Sequence, residues 1–219
     1  MSESTRILAI RHGETAWNAD TRIQGHTDIP LNAQGLAQAR HLAQHLRASD
    51  ALHAIYSSDL SRAHQTALAV GQALDVPVQI HTGLRERGFG QFEGRSFAQI
   101  ETEHPQQALQ WRKRVPDWIP PGGGESLVQL QARIVRTVDE LAARHPGQQI
   151  ALFAHGGVMD ILYRAACRLD LQAPRTWMLG NTAINRLLWS PEGLTLVGWG
   201  DTTHLDAMTG TQSLDETST

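Results

Sequence analysis

Two stretches of the chain share one pattern: Ile7-Leu8-Ala9-Ile10-Arg11-His12-Gly13 and Ile150-Ala151-Leu152-Phe153-Ala154-His155-Gly156-Gly157. In each, a short apolar run leads to a histidine that is followed by glycine. An apolar run of this length ahead of a helical pattern is typical of a buried parallel strand. His12 and His155 are therefore expected at strand ends, which is the edge where open α/β sheets bind their ligands.

The residues beside the two histidines indicate what such a site would bind. One strand-end histidine is more often a packed or surface residue than a catalyst. Two of them, with Arg11 directly before His12, favour a pocket for a small anionic ligand, since this arginine would otherwise be an unpaired charge at a sheet edge. The glycines are expected to let the backbone approach that ligand closely.

The composition predicts a single globular domain over residues 1–205. The chain has 219 residues, of which 41% are hydrophobic and 19% are charged, as in ordinary soluble domains. Its net charge of −3 argues against a nucleic-acid binder. Residues 206–219 are rich in threonine and serine, which predicts a flexible tail.

Signals for location and cross-linking are few. No apolar run reaches membrane-spanning length, and the polar first residues lack the pattern of a secretory signal. A cytoplasmic protein with no membrane partner is expected, as a monomer or a homodimer. Cys167 is the single cysteine, so an intrachain disulfide and a cysteine-based zinc site are excluded, and its apolar surroundings predict a core position.

Strand and helix patterns alternate along the chain, which predicts a three-layer α/β/α fold with a doubly wound, mostly parallel sheet. Further strands are predicted at 54–56 and 78–80, a hairpin at 184–199, and helices at about 33–47, 60–74 and 125–144. Residues 11–31 are interpreted as a long loop. Residues 88–124 contain four prolines and no clear periodicity, which predicts an irregular lid insertion over the site.

Two more charged residues are expected at the same sheet edge. Arg62 lies where the second strand gives way to a helix, and Glu86 lies in the glycine-containing segment 84–90. Alone, Arg62 would be interpreted as a solvated helix residue and Glu86 as half of a surface ion pair. Together with the histidines they suggest phosphoryl transfer.

The transfer would pass through a phosphohistidine. Neutral imidazole is a nucleophile toward phosphorus, and flanking arginines would hold His12 neutral. Arg11, Arg62 and a protonated His155 would neutralise the equatorial oxygens of a loose transition state. Glu86 would act as general acid and then as base for water. This scheme requires no metal and no other cofactor, and the motifs of P-loop, HExxH, cysteine-nucleophile and GxSxG enzymes are missing from the sequence.

The block Arg11-His12-Gly13-Glu14-Thr15-Ala16-Trp17-Asn18 resembles the RHGE[ST]xWN signature of the histidine phosphatase superfamily, the phosphoglycerate mutase-like proteins. Residues 22–25, 57–63, 84–86 and 155–157 match later blocks of that family in order. The resemblance implies that His12 is the phosphorylated nucleophile and Glu86 the proton donor. It also implies a phosphate pocket of Arg11, Asn18, Arg62 and His155, with Gln24, Gly25 and Gly156 beside the substrate.

Phosphatases and mutases of this family share these motifs, so the two activities have to be distinguished by the sequence of the lid. Residues 89–94 resemble the FGxWEG block of the phosphatases, with Phe92 in place of tryptophan, and residues 121–126 also resemble that branch. The lysine that grips the substrate of cofactor-dependent mutases falls on Phe97, and the long mutase insertion is missing. The segment 110–114 instead favours a mutase, since it resembles the mutase QWRR segment whose arginines bind the substrate carboxylate. A basic face of a lid helix is the alternative interpretation.

The sequence thus predicts a metal-independent phosphomonoesterase for a small phosphorylated metabolite, with a cofactor-dependent phosphoglycerate mutase as the alternative. Arg112 is the candidate contact for a substrate carboxylate. A phosphate-binding module without turnover is a third interpretation, but it would need neither Glu86 nor two histidines. The other histidines are in mostly polar surroundings and are interpreted as surface residues.

Overall fold

The apolar runs form neighbouring strands of one six-stranded sheet in the computed structural model, which describes residues 4–206 and 208. The strands are β1 (Thr5–Arg11), β2 (Ala54–Ser57), β3 (Val78–Ile80), β4 (Gln149–Ala154), β5 (Ile184–Ser190) and β6 (Gly193–Asp201). Their order is β3-β2-β4-β1-β5-β6. The first four strands pair in parallel, and β5 and β6 add an antiparallel hairpin. The mostly parallel sheet is confirmed. Apart from residues 206 and 208, the predicted tail lies outside the described residues.

The helices cover both faces of this sheet. They are α1 (Ala16–Ala19), α2 (Ala33–Ser49), α3 (Ser61–Leu74), α4 (Phe97–Glu103), α5 (Pro105–Arg112), α6 (Leu127–Ala142) and α7 (Gly156–Cys167). Side chains alternate along β1, so that Ile7 and Ala9 join the core with α6 and α7. Leu8 and Ile10 join the opposite core with α2 and α3. Two apolar layers on one sheet give the expected three-layer architecture.

Two segments predicted to be irregular contain short helices. In residues 11–31, Thr15 caps α1 through a reciprocal pair of bonds with Asn18. In the lid segment 88–124, Ser96 and Gln99 form the same kind of capping box at the start of α4, and Pro105 begins α5. These caps fix helices too short to show hydrophobic periodicity. The lid segment has a small apolar cluster of its own, built on Phe92, Ile100 and Ala108.

Two predictions about single residues were wrong. Cys167 is only half-buried, because it is the last residue of α7 and not part of its inner face. His204 is buried instead of exposed, and its Nε2 lies 3.1 Å from the hydroxyl of Thr182. Within the part of the chain that the structure describes, no helix is both long and apolar enough to cross a membrane.

Candidate active site

The ends of β1 and β4 bring the two histidines together. These strands pair in parallel, and the backbone N–H of His12 donates to the carbonyl of Ala154 at 3.0 Å. The two imidazole centroids are consequently 5.2 Å apart. His12 is 2% exposed and His155 is fully buried. The sheet therefore places both rings at one edge, as the repeated pattern predicts.

The surroundings of His12 leave one ring nitrogen free to attack. Nδ1 lies 2.7 Å from the carbonyl oxygen of Gly13, and because a carbonyl only accepts, Nδ1 carries the proton. Nε2 then holds the lone pair. Burial lowers the pKa of His12 well below its usual value, and the charges of Arg11 and Arg62 lower it further. A neutral imidazole is the form that a nucleophile requires.

His155 has the same preference for the neutral form. Burial, Arg62 and His12 lower its pKa well below the usual value. The protonated His155 expected from the sequence is therefore disfavoured in the free protein, where cations face it and its own ring is desolvated. A bound dianionic phosphate would supply the opposite charge that favours protonation.

Arg62 and Arg11 are held by backbone carbonyls. Arg62 is fully buried and donates to the carbonyls of Gly25 and Thr27, at 2.7 and 3.0 Å. Arg11 donates to the carbonyl of Leu179. Because carbonyls carry no full charge, neither guanidinium is neutralised by these bonds. Burial lowers the pKa of each arginine, and the carboxylate of Glu86 opposes that effect.

Unpaired polar atoms concentrate in this region. Among the described residues, the buried side-chain atoms without a hydrogen-bond partner include Nε of Arg11, Nε of Arg62, both ring nitrogens of His155 and Oε1 of Gln24. Native folds leave few buried polar groups unpaired, and each exception needs a reason. A cluster of such nitrogens beside two arginines is the arrangement that a phosphate group would satisfy.

Glu86 lies against the first turn of α7. Both its carboxylate oxygens accept from the N–H of Gly157, at 3.0 and 3.1 Å. A Cβ on Gly157 would lie 2.3 Å from Oε1 of Glu86, whereas one on Gly156 would keep 3.8 Å from Oε2. Arg133 holds the preceding chain by donating to the carbonyls of Gly83 and Arg85 at 2.8 and 2.9 Å. The carboxylate of Glu86 is thus held against the first turn of α7, the helix that begins directly after His155.

Asn18, Gln24 and Gly25 take supporting positions. Oδ1 of Asn18 accepts from the backbone and hydroxyl of Thr15, which leaves its amide nitrogen as the donor for a ligand. Gln24 is buried, and the carbonyl of Gly25 holds Arg62. Gly13 has a different role from the one expected. A Cβ there would lie 2.6 Å from the carbonyl oxygen of Gly35, so this glycine serves the packing of α2.

Arg112 is not brought to the site. Its side chain is 59% exposed, pairs with Glu101 at 2.6 Å and lies over the ring of Phe97. A cavity of about 410 Å³ beside Arg11 is instead lined by Arg87, Arg114 and Arg175. None of these three arginines was predicted from the sequence as a site residue. Arg114 belongs to the basic segment 112–114, but the residue predicted from that segment was Arg112, two positions earlier.

The described residues contain no group of three or more histidine, cysteine or acidic side chains that could hold a metal ion. The independence from metal expected from the sequence stays a prediction, to be tested with a chelator.

The chain is similar to known proteins over most of its length. The family described as histidine phosphatase superfamily, branch 1, matches residues 7–202. A metal-independent phosphoserine phosphatase of Arabidopsis thaliana is 34% identical over 94% of this chain and 86% of its own length. A "probable phosphoglycerate mutase" of Proteus mirabilis is 34% identical over 91% and 94%. The crystal structure of a phosphoserine phosphatase mutant from Entamoeba histolytica in complex with phosphoserine aligns with a TM-score of 0.81 at 28% identity, covering 92% of this chain and 99% of that one.

Proposed function

We propose, from the premise that the chain belongs to the histidine phosphatase superfamily, that it hydrolyses small phosphorylated metabolites through a phosphohistidine on His12. The observation that carries the proposal is the free Nε2 of a neutral His12 beside the unpaired nitrogens of Arg11, Arg62 and His155. The phosphoserine phosphatases among its relatives support a small phosphomonoester as substrate.

In the first step, Nε2 of His12 attacks phosphorus as the bond to the leaving oxygen breaks. The guanidinium groups of Arg11 and Arg62 stabilise the charge on the equatorial oxygens, and each preorganised donor contributes about 10²–10³ in rate. His155 takes up a proton as the phosphate enters and adds a third donor. Because the carbonyls that the two arginines bond to carry no full charge, the charge of each guanidinium remains available to the substrate.

Glu86 moves the protons of both steps. It donates one to the leaving alkoxide, and in the second step it accepts one from the water that attacks phosphohistidine. The backbone N–H of Gly157, in the first turn of α7, donates to both oxygens of the Glu86 carboxylate. This bond orients the carboxylate without a charged partner. Histidine is then regenerated, and inorganic phosphate leaves.

The mutase of the same family is the second candidate, because a relative carries that name. Three features favour hydrolysis. Phe97 stands where the mutase lysine falls, and it packs edge-on against Trp111 inside the lid cluster. The long mutase insertion is missing. Arg112, the candidate mutase arginine, pairs with Glu101 and does not line the cavity.

Release of inorganic phosphate from a panel of phosphorylated metabolites, measured with and without EDTA, tests the proposal. We expect turnover that EDTA leaves unchanged and vanadate inhibits, and His12→Ala should abolish it. With 3-phosphoglycerate and 2,3-bisphosphoglycerate, phosphate should be released faster than 2-phosphoglycerate forms. Faster isomerisation would favour the mutase, and a rate that needs an added divalent ion would refute the metal-free mechanism.

A further inference from the structure

The carboxylate of Glu93, in the lid segment, is bonded to the loop 24–28 between α1 and α2. Its Oε1 accepts from the backbone N–H of His26 at 3.0 Å and from that of Phe89 at 3.1 Å. Its Oε2 accepts from the backbone N–H and the hydroxyl of Thr27, at 2.9 and 2.7 Å. All four donors are uncharged, and three of them belong to the loop. Glu93 therefore ties this loop to the lid segment.

The same loop orients Arg62 with its carbonyl groups. The terminal nitrogens of Arg62 donate to the carbonyls of Gly25 and Thr27 at 2.7 and 3.0 Å. The carbonyl of Gly25 and the N–H of His26 belong to one planar peptide group and point in opposite directions. One side of this peptide group is thus bonded to Arg62 and the other side to Glu93. A rotation of the group that breaks one of these bonds also breaks the other.

The contact between Glu93 and the loop is direct. Gly25 has a φ of +54°, a conformation that favours glycine, and a side chain at this position would overlap Oε1 of Glu93. A carboxylate on the N–H side of the peptide group also polarises it and strengthens its carbonyl as an acceptor for Arg62.

The charge of Glu93 acts in the same direction. Burial alone would raise the pKa of Glu93, but the hydrogen bonds from the loop and from Phe89 outweigh it and lower that pKa below its usual value. Glu93 is therefore ionised near neutral pH. Burial lowers the pKa of Arg62, and the negative charge of Glu93 is among those that oppose this effect.

We propose that Glu93 is a positioning residue for phosphoryl transfer, which fixes the loop 24–28 so that its carbonyls aim the guanidinium of Arg62 at the phosphoryl group. This inference rests on the proposed function, since Arg62 stabilises the transferred group there. The role requires a carboxylate, because both oxygens accept hydrogen bonds. In Glu93→Gln, one oxygen is replaced by an NH2 group, which would face a backbone N–H and cannot accept from it.

A double-mutant cycle of Glu93→Gln and Arg62→Ala tests this role, with orthovanadate as the probe of the phosphate pocket. Isothermal titration gives the Kd of vanadate for the wild type, both single variants and the double variant. We expect Glu93→Gln to raise this Kd about tenfold when Arg62 is present, as loss of hydrogen bonds to a charged group does. In the Arg62→Ala background there is no guanidinium to aim, so the same substitution should change the Kd by less than about twofold. Equal effects in the two backgrounds would overturn the proposal.

Glu103→Gln is the matched control. Glu103 lies in the same lid segment, but its carboxylate pairs with the side chain of Arg95 at an exposed position, so the Kd should not change. Where circular dichroism shows that Glu93→Gln does not fold, Thr27→Val replaces it in the cycle, because it removes one hydrogen bond to Glu93. It should raise the Kd by a smaller factor, only when Arg62 is present, and an unchanged Kd would overturn the proposal.

Arginine side-chain signals in ¹H–¹⁵N spectra report the positioning without a ligand. Arg164 is the internal reference, since it is also fully buried and donates to the carbonyls of Asp170 and Ala173. We expect Glu93→Gln to broaden or shift the signals of Arg62, assigned by their absence from Arg62→Ala, and to leave those of Arg164 in place. Unchanged Arg62 signals, or equal changes in both arginines, would overturn the proposal.

Neither measurement requires turnover, which separates this inference from the proposed function. If no phosphomonoester is hydrolysed while the cycle and the spectra show the coupling, the proposed function fails and the role of Glu93 stands. Hydrolysis without the coupling would leave the proposed function in place and overturn the role of Glu93.

Discussion

At the scale of single residues, the account depends on which atoms are free and which are bonded. His12 has its proton fixed on Nδ1 by the carbonyl of Gly13, so Nε2 is the attacking atom. Arg11 and Arg62 bond to carbonyls only through nitrogens other than Nε. Each residue is thereby oriented by the backbone while its reactive or charged part stays available.

The role of Glu86 can be tested by changing its chemistry and keeping its shape. Glu86→Gln can still accept from Gly157 N–H but has no proton to donate. We expect a loss of about 10²–10⁴ in the phosphorylation rate with alkyl phosphates. The loss with p-nitrophenyl phosphate should be smaller, because that leaving group scarcely needs a proton.

Rapid-mixing kinetics on both substrates measure this difference, with Glu192→Gln as the control. Glu192 lies in the exposed β5–β6 turn and pairs with Ser190, so its substitution should change neither rate. Equal losses for Glu86→Gln on the two substrates would remove Glu86 from the role of general acid.

At the scale of elements, the start of α7 organises the site. His155 precedes it as the N-cap, and the N–H of Gly157 in its first turn holds Glu86. A helix start offers unpaired N–H groups and a partial positive charge, both of which suit a carboxylate. Two adjacent glycines occupy this turn, yet the space around them differs.

Gly157→Ala and Gly156→Ala form a matched pair for this element. The added methyl group on Gly157 would lie 2.3 Å from Oε1 of Glu86, whereas on Gly156 the nearest atoms lie at 3.7 and 3.8 Å. We expect Gly157→Ala to lower kcat by a factor near that of Glu86→Gln, about 10²–10⁴, with far-ultraviolet circular dichroism unchanged. Gly156→Ala, whose methyl group would not displace the carboxylate, should lower kcat less than Gly157→Ala does. A similar loss of kcat in both variants would mean that any methyl group in this turn impairs catalysis, and that displacement of the Glu86 carboxylate is not the cause.

The sequence predicts the sheet edge better than the lid. Three of the predicted site residues come after the end of a strand: His12, His155 and Arg62. An apolar run in the sequence marks each strand, so the position of the residues after it can be predicted. The lid helices α4 and α5 lack such a pattern, because they pack on a small aromatic cluster of their own. Arg175 and Trp177 lie in a segment without regular structure, so that only the tertiary fold brings them to the cavity. The sequence likewise gives no sign that Arg112, at the end of α5, pairs with Glu101 and does not line the cavity.

At the scale of the whole molecule, several buried histidines link stability to pH. Nε2 of His204 lies 3.1 Å from the hydroxyl of Thr182, and the backbone N–H of Thr182 donates to the carbonyl of Arg11. Burial lowers the pKa of His204 to about 4, and the neighbouring charges of His45 and His41 act in the same direction, against Asp201 and Asp206. The folded protein therefore resists protonation at a position where the unfolded chain takes up a proton near pH 6.5.

Stability should consequently fall as the pH falls from 6.5 toward 4. In this window the unfolded state binds more protons, so the free energy of unfolding rises with pH and levels off above 6.5. For His204 alone, the loss between pH 8 and pH 5 is about 2 kcal/mol. Urea denaturation of His204→Gln should show a pH dependence weaker by about that amount. A His204→Gln variant whose slope equals that of the wild type would show that His204 is not the group that titrates.

The most direct test of the central claim is rapid quench of the wild-type protein with a substrate labelled in its phosphoryl group. We predict a transient labelled protein whose adduct is labile to acid and stable to base, as expected for a phosphoramidate, and which peptide mapping locates on His12. His12→Ala should show no label. An adduct on an aspartate or a serine, or turnover with no phosphorylated protein at any mixing time, would contradict the account.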